Sequence, residues 1–526
     1  MKLINAPILV IAFLFFWGCS TTQKVTPLTS AVKDDGQIEF TFLQINDVYE
    51  ISPQEGGNAG GMARVAMLFQ QLKKENPNTF FVMAGDFLNP SLYSTIKDKK
   101  GIPVKGRQMV ETMNVAGVDL AIFGNHEFDL SEKALQACIN ISEFDWIASN
   151  TLRVQVDSTY PFKPTSTAQN IHPFFKEKNG EKEYIPETYQ WKIQDTDGTE
   201  LTIGLFTATI ASNKKAKYVA YQDFTDEVVK SYLELNCSSD FILGLTHLSI
   251  REDMQVASLL PNVPLIMGGH EHKQMEVNVG NVKITKADAN ANTAWIHRFQ
   301  YDKNTGTHSF TSDLIPIDTT LANEPATQKV VDHWEEVLHD KIKEVYPDPE
   351  KVIYYPKQPL DAATVRRQQT NLGNLLCQAI QAKSPVATEA SIINSGAVRF
   401  DDYLEDALAA IDVFKILPFP GNIGTTLMKG NTLLSILKVG LVEKVGSGSY
   451  LQVHNLAYDE KTNTGTINGK PIDPNKSYSI GMNDYLLKGM IGEGKPLPKG
   501  QEIHIGADLR VAIINYLDSL PKPKGE

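Results

Sequence analysis

Five apolar runs in this sequence are each followed directly by side chains that can bind a metal ion. These side chains are Asp47, Asp86, Asn125 with His126, His247, and His270 with His272. The runs are typical of buried strands, and the carboxyl ends of parallel strands meet at one edge of a sheet. We therefore expect the five positions to converge. Four of the eleven histidines fall there, which is hard to explain as the chance placement of core histidines.

The mixture of carboxylate, amide and imidazole suits a first-row divalent ion such as Zn²⁺, Mn²⁺, Fe²⁺ or Co²⁺. With His126 set aside as an acid or base, six candidate ligands remain, too many for one tetrahedral site. The sequence therefore predicts two ions that share a carboxylate, a pair that can activate water and hold a phosphoryl oxygen. Asp129 follows His126 by three residues, a spacing at which a carboxylate can orient the imidazole and favour its protonated form.

Strands and helices alternate around these residues, which predicts a layered α/β domain with functional groups at strand carboxyl ends. The predicted strands are Ile38–Ile45, Thr79–Ala84, Val118–Ile122, Asp145–Asn150, Leu201–Thr207, Phe241–Leu245 and Leu265–Met267. The predicted helices are Gly60–Glu75, Gln108–Ala116, Ser131–Ile139 and Phe224–Leu235, with β-hairpins over Val277–Leu314. The polar, proline-containing stretch Val154–Glu200 is expected to lie outside the core.

A long polar helix pattern at Pro325–Val345 is closed by Pro347 and is predicted to join two domains. The chain after it has its own strand and helix segments, at Leu372–Ala382, Ala390–Asn394, Ala407–Phe414, Thr432–Val442 and Tyr478–Met482. A chain of 526 residues is too long for one core. We predict a first domain over 38–322, an interdomain helix and linker over 323–350, and a second domain over 351–526.

The composition is that of an ordinary globular protein, with 42% hydrophobic and 21% charged residues. The formal net charge of −12 argues against binding to a nucleic-acid polymer, although a local basic pocket remains compatible with it. The four cysteines are far apart in the sequence, without metal-binding or redox spacing.

The first 19 residues are predicted to be a signal peptide rather than part of the fold. Ala6–Trp17 is almost wholly apolar and leads to Gly18-Cys19, which resembles a bacterial lipobox with Cys19 as the lipidation site. Residues 20–37 are predicted to form a flexible tether. We expect an exported protein, periplasmic or at the cell surface, whose contact with a bacterial membrane is this lipid anchor. A plain cleaved signal is the alternative.

In their order along the chain, the metal-binding segments resemble the calcineurin-like metallophosphoesterases. These segments are Asp47, Gly85-Asp86, Gly124-Asn125-His126-Glu127, His247 and Gly269-His270-Glu271-His272. Three later segments are similar to the second domain of bacterial and animal 5′-nucleotidases. They are Thr370-Asn371-Leu372-Gly373-Asn374-Leu375, Asn394-Ser395-Gly396-Ala397-Val398-Arg399 and Leu417-Pro418-Phe419. The resemblance covers roughly Ile38 to Leu517.

The resemblance implies a four-layer α/β-β/α phosphoesterase domain with two metal ions, and a separate mixed α/β domain that binds the substrate. Asp86 would bridge the ions. The other implied metal ligands are Asp47 and His272 on the first ion, and Asn125, His247 and His270 on the second. His126, oriented by Asp129, would stabilise the transferring phosphoryl group or protonate the leaving oxygen.

The second domain supplies the predicted contacts to the substrate. The resemblance implies that Asn394 and Arg399 hold the nucleotide and that Phe419 and Tyr485 sandwich the base. Arg366 and Arg367 are candidates for contact with phosphate or ribose, because a guanidinium suits bidentate recognition of phosphate. The alternative for these two arginines is an ordinary surface salt bridge.

Two segments depart from the family pattern. The first usually reads Asp-any-His, but here it is Asp47-Val48-Tyr49. A phenol with a pKa near ~10 is a poor ligand for zinc-like ions. The first ion is therefore expected to bind more weakly, to use water or Glu50, or to be a different ion. The second departure is the loop Lys488–Gly494, which lacks the aspartate expected to hold the ribose.

The leading interpretation is a metal-dependent phosphohydrolase that releases phosphate from nucleotides, most simply from nucleoside 5′-monophosphates. The altered loop leaves open the same chemistry on UDP-sugars, 2′,3′-cyclic nucleotides or another phosphate ester. Tyr49 leaves open a third interpretation, a surface lipoprotein that binds nucleotide or metal without turnover.

Overall fold

A computed structural model describes residues 34–154, 171–212, 216–400, 403–404, 407–488 and 502–522. The predicted signal peptide with its lipidation site Cys19, most of the predicted tether, and residues 489–494 of the altered loop lie outside these ranges. In the part of the chain that the structure describes, no helix is both long and apolar enough to cross a lipid bilayer.

The first domain alternates strands and helices. Its strands are β1 (Gln37–Ile45), β2 (Thr79–Met83), β3 (Leu120–Ile122), β4 (Asp145–Ile147), β5 (Thr151–Val154), β6 (Ile171–His172), β7 (Phe175–Lys178), β8 (Glu181–Tyr184), β9 (Thr188–Gln194), β10 (Glu200–Thr209), β11 (Val219–Tyr221), β12 (Phe241–His247), β13 (Leu265–Gly268), β14 (Met275–Val279), β15 (Val282–Lys286), β16 (Thr293–Asp302) and β17 (Thr307–Pro316). Its helices are α1 (Met62–Glu75), α2 (Arg107–Ala116), α3 (Glu132–Ile141), α4 (Phe224–Leu235), α5 (Ile250–Leu259) and α6 (Pro325–Lys343).

Two six-stranded sheets form the centre of this domain. One has the strand order β17-β16-β1-β2-β3-β4, and the other has the order β14-β15-β13-β12-β10-β9. Strands β1 to β4 are parallel neighbours, as are β10, β12, β13 and β15. The carboxyl ends of β1, β2 and β3 therefore lie at one edge of the first sheet, and those of β12 and β13 at one edge of the second.

The sheets pack face to face and helices cover their outer faces, which confirms the predicted four-layer α/β architecture. Phe42 of β1 and Val82 of β2 meet Leu205 of β10 and Leu243 of β12 in one buried cluster between the sheets. Helices α4 and α5 pack on the outer face of the second sheet, and α1, α2 and α3 on that of the first. Each large side chain buried in this way contributes about 1.5–3 kcal/mol.

The expectation that Val154–Glu200 lies outside the core is wrong for part of that stretch. Strand β9 pairs antiparallel with β10 at the edge of the second sheet. Its alternate residues Tyr189, Trp191 and Ile193 face the core between the sheets, and Trp191 stacks on Phe80 of the opposite sheet at 4.5 Å between ring centroids. The polar residues between them are exposed, so the average polarity concealed an amphipathic edge strand.

Helix α6 was predicted to be a polar helix that joins the two domains. In the structure it packs against the first domain. Glu324 caps it by accepting hydrogen bonds from the N–H groups of Ala326 and Thr327. Trp334 is buried, donates through Nε1 to Glu111 at 3.1 Å, and lies under the guanidinium of Arg107. Most of α6 is therefore a wall of the first domain, and the crossing to the second domain follows its last residue.

The second domain is a mixed α/β unit, as predicted. Its strands are β18 (Val352–Tyr354), β19 (Leu360–Asp361), β20 (Ala390–Asn394), β21 (Tyr403–Leu404), β22 (Leu408–Ala409), β23 (Asn422–Lys429), β24 (Leu451–His454), β25 (Leu456–Asp459), β26 (Thr464–Ile467), β27 (Lys470–Pro471), β28 (Ser477–Asn483) and β29 (Ile503–Asp508). Its helices are α7 (Asn371–Lys383), α8 (Ala410–Ile416), α9 (Gly430–Lys438), α10 (Asp484–Leu487) and α11 (Leu509–Leu517). The main sheet has the order β24-β20-β28-β23-β29, with α7 and α11 on one face and α9 on the other.

Candidate metal centre

The structure brings the predicted metal-binding segments together between the carboxyl edges of the two sheets. Two groups of ligand atoms form, and within each group the atoms lie within 4.8 Å of one another. The first group consists of Asp47, Asp86 and His272, and the second of Asp86, His247 and His270. Asp86 belongs to both groups, which is the arrangement expected of a carboxylate that bridges two ions.

Asn125 lies beside the shared carboxylate. The N–H of the next residue, His126, donates to Asp86 Oδ1 at 2.7 Å, and Asn125 itself is buried. The loop can approach so closely because Gly124 has no side chain. A Cβ atom at that position would lie 2.1 Å from Asp86 Oδ1.

The donor set and its charge fit divalent ions. His247 donates through Nδ1 to the carbonyl oxygen of Ala84 at 2.7 Å, which leaves Nε2 to face Asp86 Oδ2 at 3.2 Å. That buried nitrogen forms no hydrogen bond with any residue the structure describes. Burial lowers the pKa of His247, but the charges of Asp86 and Asp47 outweigh it and raise the pKa to about 9. The site therefore attracts positive charge at an atom suited to bind a metal.

Four of these residues hold a left-handed backbone conformation. The φ angles are 54° for Asp47, 58° for Asp86, 91° for His270 and 59° for His272. Each such residue costs about 1–3 kcal/mol and persists only where the surrounding contacts determine it. The backbone is thus strained in order to direct these side chains at common points.

His126 stands beside the two groups without belonging to either. Its Nδ1 lies 2.6 Å from Asp129 Oδ2, and the imidazole is 24% exposed, so its other face is open to a ligand. Burial lowers the pKa of His126, but Asp86 and Asp129 outweigh it and raise the pKa above its usual value. The geometry supports a charged imidazole that can donate a proton next to the metal centre.

A cavity of about 470 Å³ opens from the first group towards the second domain. The first domain contributes Tyr49, Glu50 and His272 to its wall, and the second contributes Arg399 and Lys415. The positive charge of Arg399 lowers the pKa of His126, but less than Asp86 and Asp129 raise it. A small ligand in this cavity would contact both domains.

Two family models match the chain in the positions that the fold suggests. The model described as calcineurin-like phosphoesterase matches residues 40–274. The model described as 5′-nucleotidase, C-terminal domain, matches residues 351–495. The chain belongs to the 5′-nucleotidase family. Its first domain is a metal-dependent phosphoesterase domain of the kind that uses two divalent ions, in agreement with the two ligand groups.

Individual relatives are distant in sequence. The trifunctional nucleotide phosphoesterase protein YfkN of Bacillus subtilis is 25% identical over 470 residues, which cover 83% of this chain but 30% of that protein. The snake venom 5′-nucleotidase of Naja atra is 23% identical, over 93% of this chain and 97% of that protein. The crystal structure of a 5′-nucleotidase precursor from Thermus thermophilus has a TM-score of 0.65 at 19% identity, over 91% of this chain and 96% of that one.

In this member of the 5′-nucleotidase family, the two residues predicted to sandwich the base lie next to paired strands of the second domain. Phe419 precedes β23 and Tyr485 follows β28, and these two strands pair antiparallel. A Cβ atom on Gly421 would lie 2.6 Å from Asp484, so the two aromatic segments are neighbours. Both rings are 40% exposed, as surfaces that receive a ligand must be.

The four predicted polar contacts are less tightly grouped. Arg399 lines the cavity and lies 5.3 Å from the centroid of the Phe419 ring. Asn394 is buried and accepts a hydrogen bond from Asn483 at 3.0 Å. Arg367 is exposed and Arg366 half-buried. Neither lines the cavity, and neither forms a salt bridge with a residue that the structure describes.

Glu127 is a functional residue that sequence reasoning left without a role. Its buried carboxylate accepts hydrogen bonds from the N–H groups of Asp86, Phe87, Leu88 and Gly124, at 2.6–2.9 Å. It thereby joins the loops that follow β2 and β3. Burial and the charge of Asp86 raise the pKa of Glu127 to about 7, against the effect of the N–H groups. Its place next to His126 was the signal available in the sequence.

Lys286, at the end of β15, was also missed. This lysine is fully buried, forms an ion pair with Asp253 at 2.8 Å and donates to Glu271. It also donates to the carbonyl oxygens of Leu248 and Gly269, at 2.6 and 2.7 Å, next to the imidazoles of the second group. A lysine at the end of the short strand Val282–Lys286, which also contains Lys283, was a weak signal for such a role.

Glu50, suggested as a substitute ligand, lies on the cavity wall. Its Oε1 accepts a hydrogen bond from Ser91 at 3.4 Å, and its carboxylate belongs to neither ligand group. Burial raises the pKa of Glu50 to about 7, although Lys415 of the second domain lowers it. The structure therefore favours a role for Glu50 at the cleft between the domains over the suggested role as a ligand.

Proposed function

We propose that this protein releases phosphate from nucleotides, most simply from nucleoside 5′-monophosphates, at a centre of two divalent ions. The observation that carries the proposal is the carboxylate of Asp86, which two ligand groups share. The first group borders, through His272, a cavity that reaches the second domain. The names of the relatives, which include nucleotide phosphoesterases and 5′-nucleotidases, agree with it.

The proposed metal ligands follow from the two groups. Asp86 would bind both ions, with Asp47 and His272 on the first and His247 and His270 on the second. Asn125 would complete the second set, since it lies beside the shared carboxylate. When bound, the ions supply an activated water molecule and neutralise charge on the phosphoryl oxygens.

His126 is the proposed catalytic acid. Asp129 accepts a hydrogen bond from Nδ1 and fixes the orientation of the ring, which leaves Nε2 to donate. A charged imidazole beside the phosphoryl group interacts more strongly with the transition state, where negative charge develops, than with the ground state. It can also pass its proton to the oxygen of the departing nucleoside.

The second domain is proposed to hold the nucleoside. Arg399 would contact the phosphate from the opposite side of the cavity, while Asn394, Arg366 and Arg367 remain predicted contacts. Phe419 and Tyr485 offer two exposed rings on neighbouring segments, and stacking of a base on such rings contributes about 1–3 kcal/mol per base.

A second candidate keeps the chemistry and changes the substrate. The loop after Tyr485 lacks the expected aspartate, which weakens the argument for a strict preference for nucleosides. UDP-sugars, 2′,3′-cyclic nucleotides or another phosphate ester would use the same centre.

The test is phosphate release by the purified protein, with Mn²⁺, Zn²⁺ or Co²⁺ added after removal of metal. The panel contains nucleoside 5′-monophosphates, 2′,3′-cyclic nucleotides, UDP-glucose and a phosphate ester without a base. We expect release that a chelator abolishes, fastest with 5′-monophosphates. A preference for another member identifies the second candidate. A protein that binds nucleotide and metal but releases nothing would be the binding lipoprotein, and the proposal would fail.

We further propose that the protein is exported and anchored through Cys19, on the strength of the apolar segment that ends in Gly18-Cys19. Expression of the full chain in a bacterium should place it in the membrane fraction, labelled by a fatty-acid probe. Cys19→Ala should remove the label. A labelled variant, or an unlabelled wild-type protein, would contradict the lipid anchor.

A further inference from the structure

Tyr49 extends its hydroxyl group into the first ligand group. The oxygen lies 3.0 Å from His272 Nε2, 3.2 Å from Asp86 Oδ2 and 3.5 Å from Asp47 Oδ1. The residue is 8% exposed, so this hydroxyl belongs to the site rather than to the surrounding solvent. The family pattern has a histidine ligand at this position, which makes the phenol a substitution inside the metal centre.

These distances match the spacing expected between ligands of one ion. Metal ligands of the oxygen and nitrogen type lie about 2.0–2.2 Å from the ion, so two that share an edge of a tetrahedron or octahedron are roughly 2.9–3.5 Å apart. The Tyr49 oxygen keeps that spacing from all three ligand atoms. His272 Nε2 and Asp47 Oδ1 keep it too, at 3.3 Å.

We propose that the phenolic oxygen of Tyr49 is a ligand of the first metal ion. Coordination replaces the hydroxyl proton, which passes to the solvent, because a bound cation strongly favours the deprotonated form of its ligands. The inference rests on the proposed two-ion centre, but it does not depend on turnover.

A phenolate changes the class of ion that the first site prefers. The site then has oxygen anions from Asp47, Asp86 and Tyr49 and a single nitrogen from His272. The second site has one shared carboxylate, an amide and two imidazoles. Anionic oxygen ligands favour harder ions, whereas imidazole suits zinc. The first site is therefore suited to manganese or iron, and the second to a zinc-like ion.

The test uses the metal-free protein titrated with Mn²⁺ and, separately, with Zn²⁺. Ionised tyrosine absorbs ultraviolet light at longer wavelength than the neutral phenol. We expect this difference absorbance to grow with one of two bound Mn²⁺ equivalents. Tyr49→Phe should lose this absorbance. Tyr301→Phe should retain it, because Tyr301 pairs with Ile38 at the opposite end of β1 from Tyr49. Calorimetry in two buffers should show one proton fewer released by Tyr49→Phe.

Tyr49→His provides the selectivity measurement. It restores the histidine common in the family. In competition between the two metals, the preference of the first site for Mn²⁺ over Zn²⁺ should fall by at least roughly 10-fold. Replacing a residue that only supports a ligand already changes metal affinity by that much. Circular dichroism checks that both variants are folded.

Two bound equivalents without tyrosinate absorbance would overturn the inference, as would binding of a single ion unaffected by Tyr49→Phe. Phosphate release is measured separately. A tyrosinate signal in a protein without turnover would leave this inference standing while the proposed function fails. Turnover without the tyrosinate signal would support the proposed function and contradict this inference.

Discussion

At the scale of single residues, the chemistry depends on which groups touch the metal ions and which act beside them. His126 contacts the shared Asp86 only through its backbone N–H, and its side chain is held by Asp129. The division between metal ligands and acid is therefore built into the loop after β3, where Asn125 and His126 are consecutive.

We predict that His126→Ala lowers kcat by about 100- to 10,000-fold, the usual contribution of a positioned acid, and leaves metal content unchanged. Asp129→Asn should give a smaller loss, because the imidazole remains but is less firmly oriented. The measurements are steady-state kinetics and metal analysis of the same samples. His308→Ala, an exposed histidine of β17, is the control. Loss of metal together with activity in His126→Ala would make His126 a ligand rather than an acid.

The residues of the two candidate ligand groups could be predicted to lie together, because each follows a recognisable apolar strand and parallel strands end together. The place of the Tyr49 hydroxyl could not, since it depends on the distance between loops of different sheets. The roles of Glu127 and Lys286 were not predicted, for a related reason. Glu127 contacts backbone groups of distant loops, and Lys286 contacts both backbone and carboxylate groups of distant segments. No residue type or spacing records those partners.

At the scale of elements, the second sheet holds its part of the centre through Lys286. The ammonium group ties β15 to the segments that follow β12 and β13. Strand β9 completes the same sheet and was missed because its stretch is polar on average. Its alternation of aromatic and polar residues was visible, but it was short and surrounded by prolines and charges.

We predict that Lys286→Met destabilises the first domain by about 3–5 kcal/mol, because it leaves Asp253 and Glu271 buried without a cation. The released carbonyl groups should also let the second ligand group shift, so that metal affinity falls. Thermal unfolding with and without metal, together with calorimetric titration, measures both effects. Lys303→Met, an exposed lysine, should change neither. An unchanged melting temperature would show that the network is dispensable.

The contact between β16 and the first strands carries a pH dependence of its own. His297 of β16 is fully buried between Gln44 at 3.0 Å and Ser312 at 2.8 Å. Burial, aided by the charge of Lys283, lowers the pKa of His297 to about 3. The folded protein therefore keeps this ring neutral at pH values where the unfolded chain would bind a proton.

We predict that stability falls as the pH drops below about 6.5, where the unfolded chain alone binds the proton, with a slope of up to about 1.4 kcal/mol per pH unit from this residue. His297→Gln should remove that slope. The measurement is the difference in unfolding free energy between wild type and variant at several pH values, both in chelator so that metal loss does not contribute. His172→Gln, at an exposed histidine of β6, should keep the wild-type slope, and a His297→Gln variant with an unaltered slope would contradict the assignment.

At the scale of the whole molecule, the reaction depends on two domains that meet at one cavity. The metal ligands all belong to the first domain, whereas Arg399 and Lys415 reach the cavity from the second. Helix α6 packs on the first domain and ends at Lys343, so the connection to the second domain follows it. Under the proposed function, the second domain would act on the substrate by presenting charge and aromatic surface to the candidate metal centre.

We predict that Arg399→Ala lowers kcat/KM for a nucleoside monophosphate by about 10- to 150-fold, since a charge-assisted hydrogen bond contributes about 1.5–3 kcal/mol. Metal content and melting temperature should not change, because Arg399 lies outside both ligand groups. Arg399→Lys should recover part of the loss, as it keeps the charge without the bidentate geometry. Lys476→Ala removes an exposed charge of the same domain away from the cavity and should have no effect. If Arg399→Ala retains full kcat/KM, the second domain does not hold the phosphate, and the cavity must be a site for the leaving group alone.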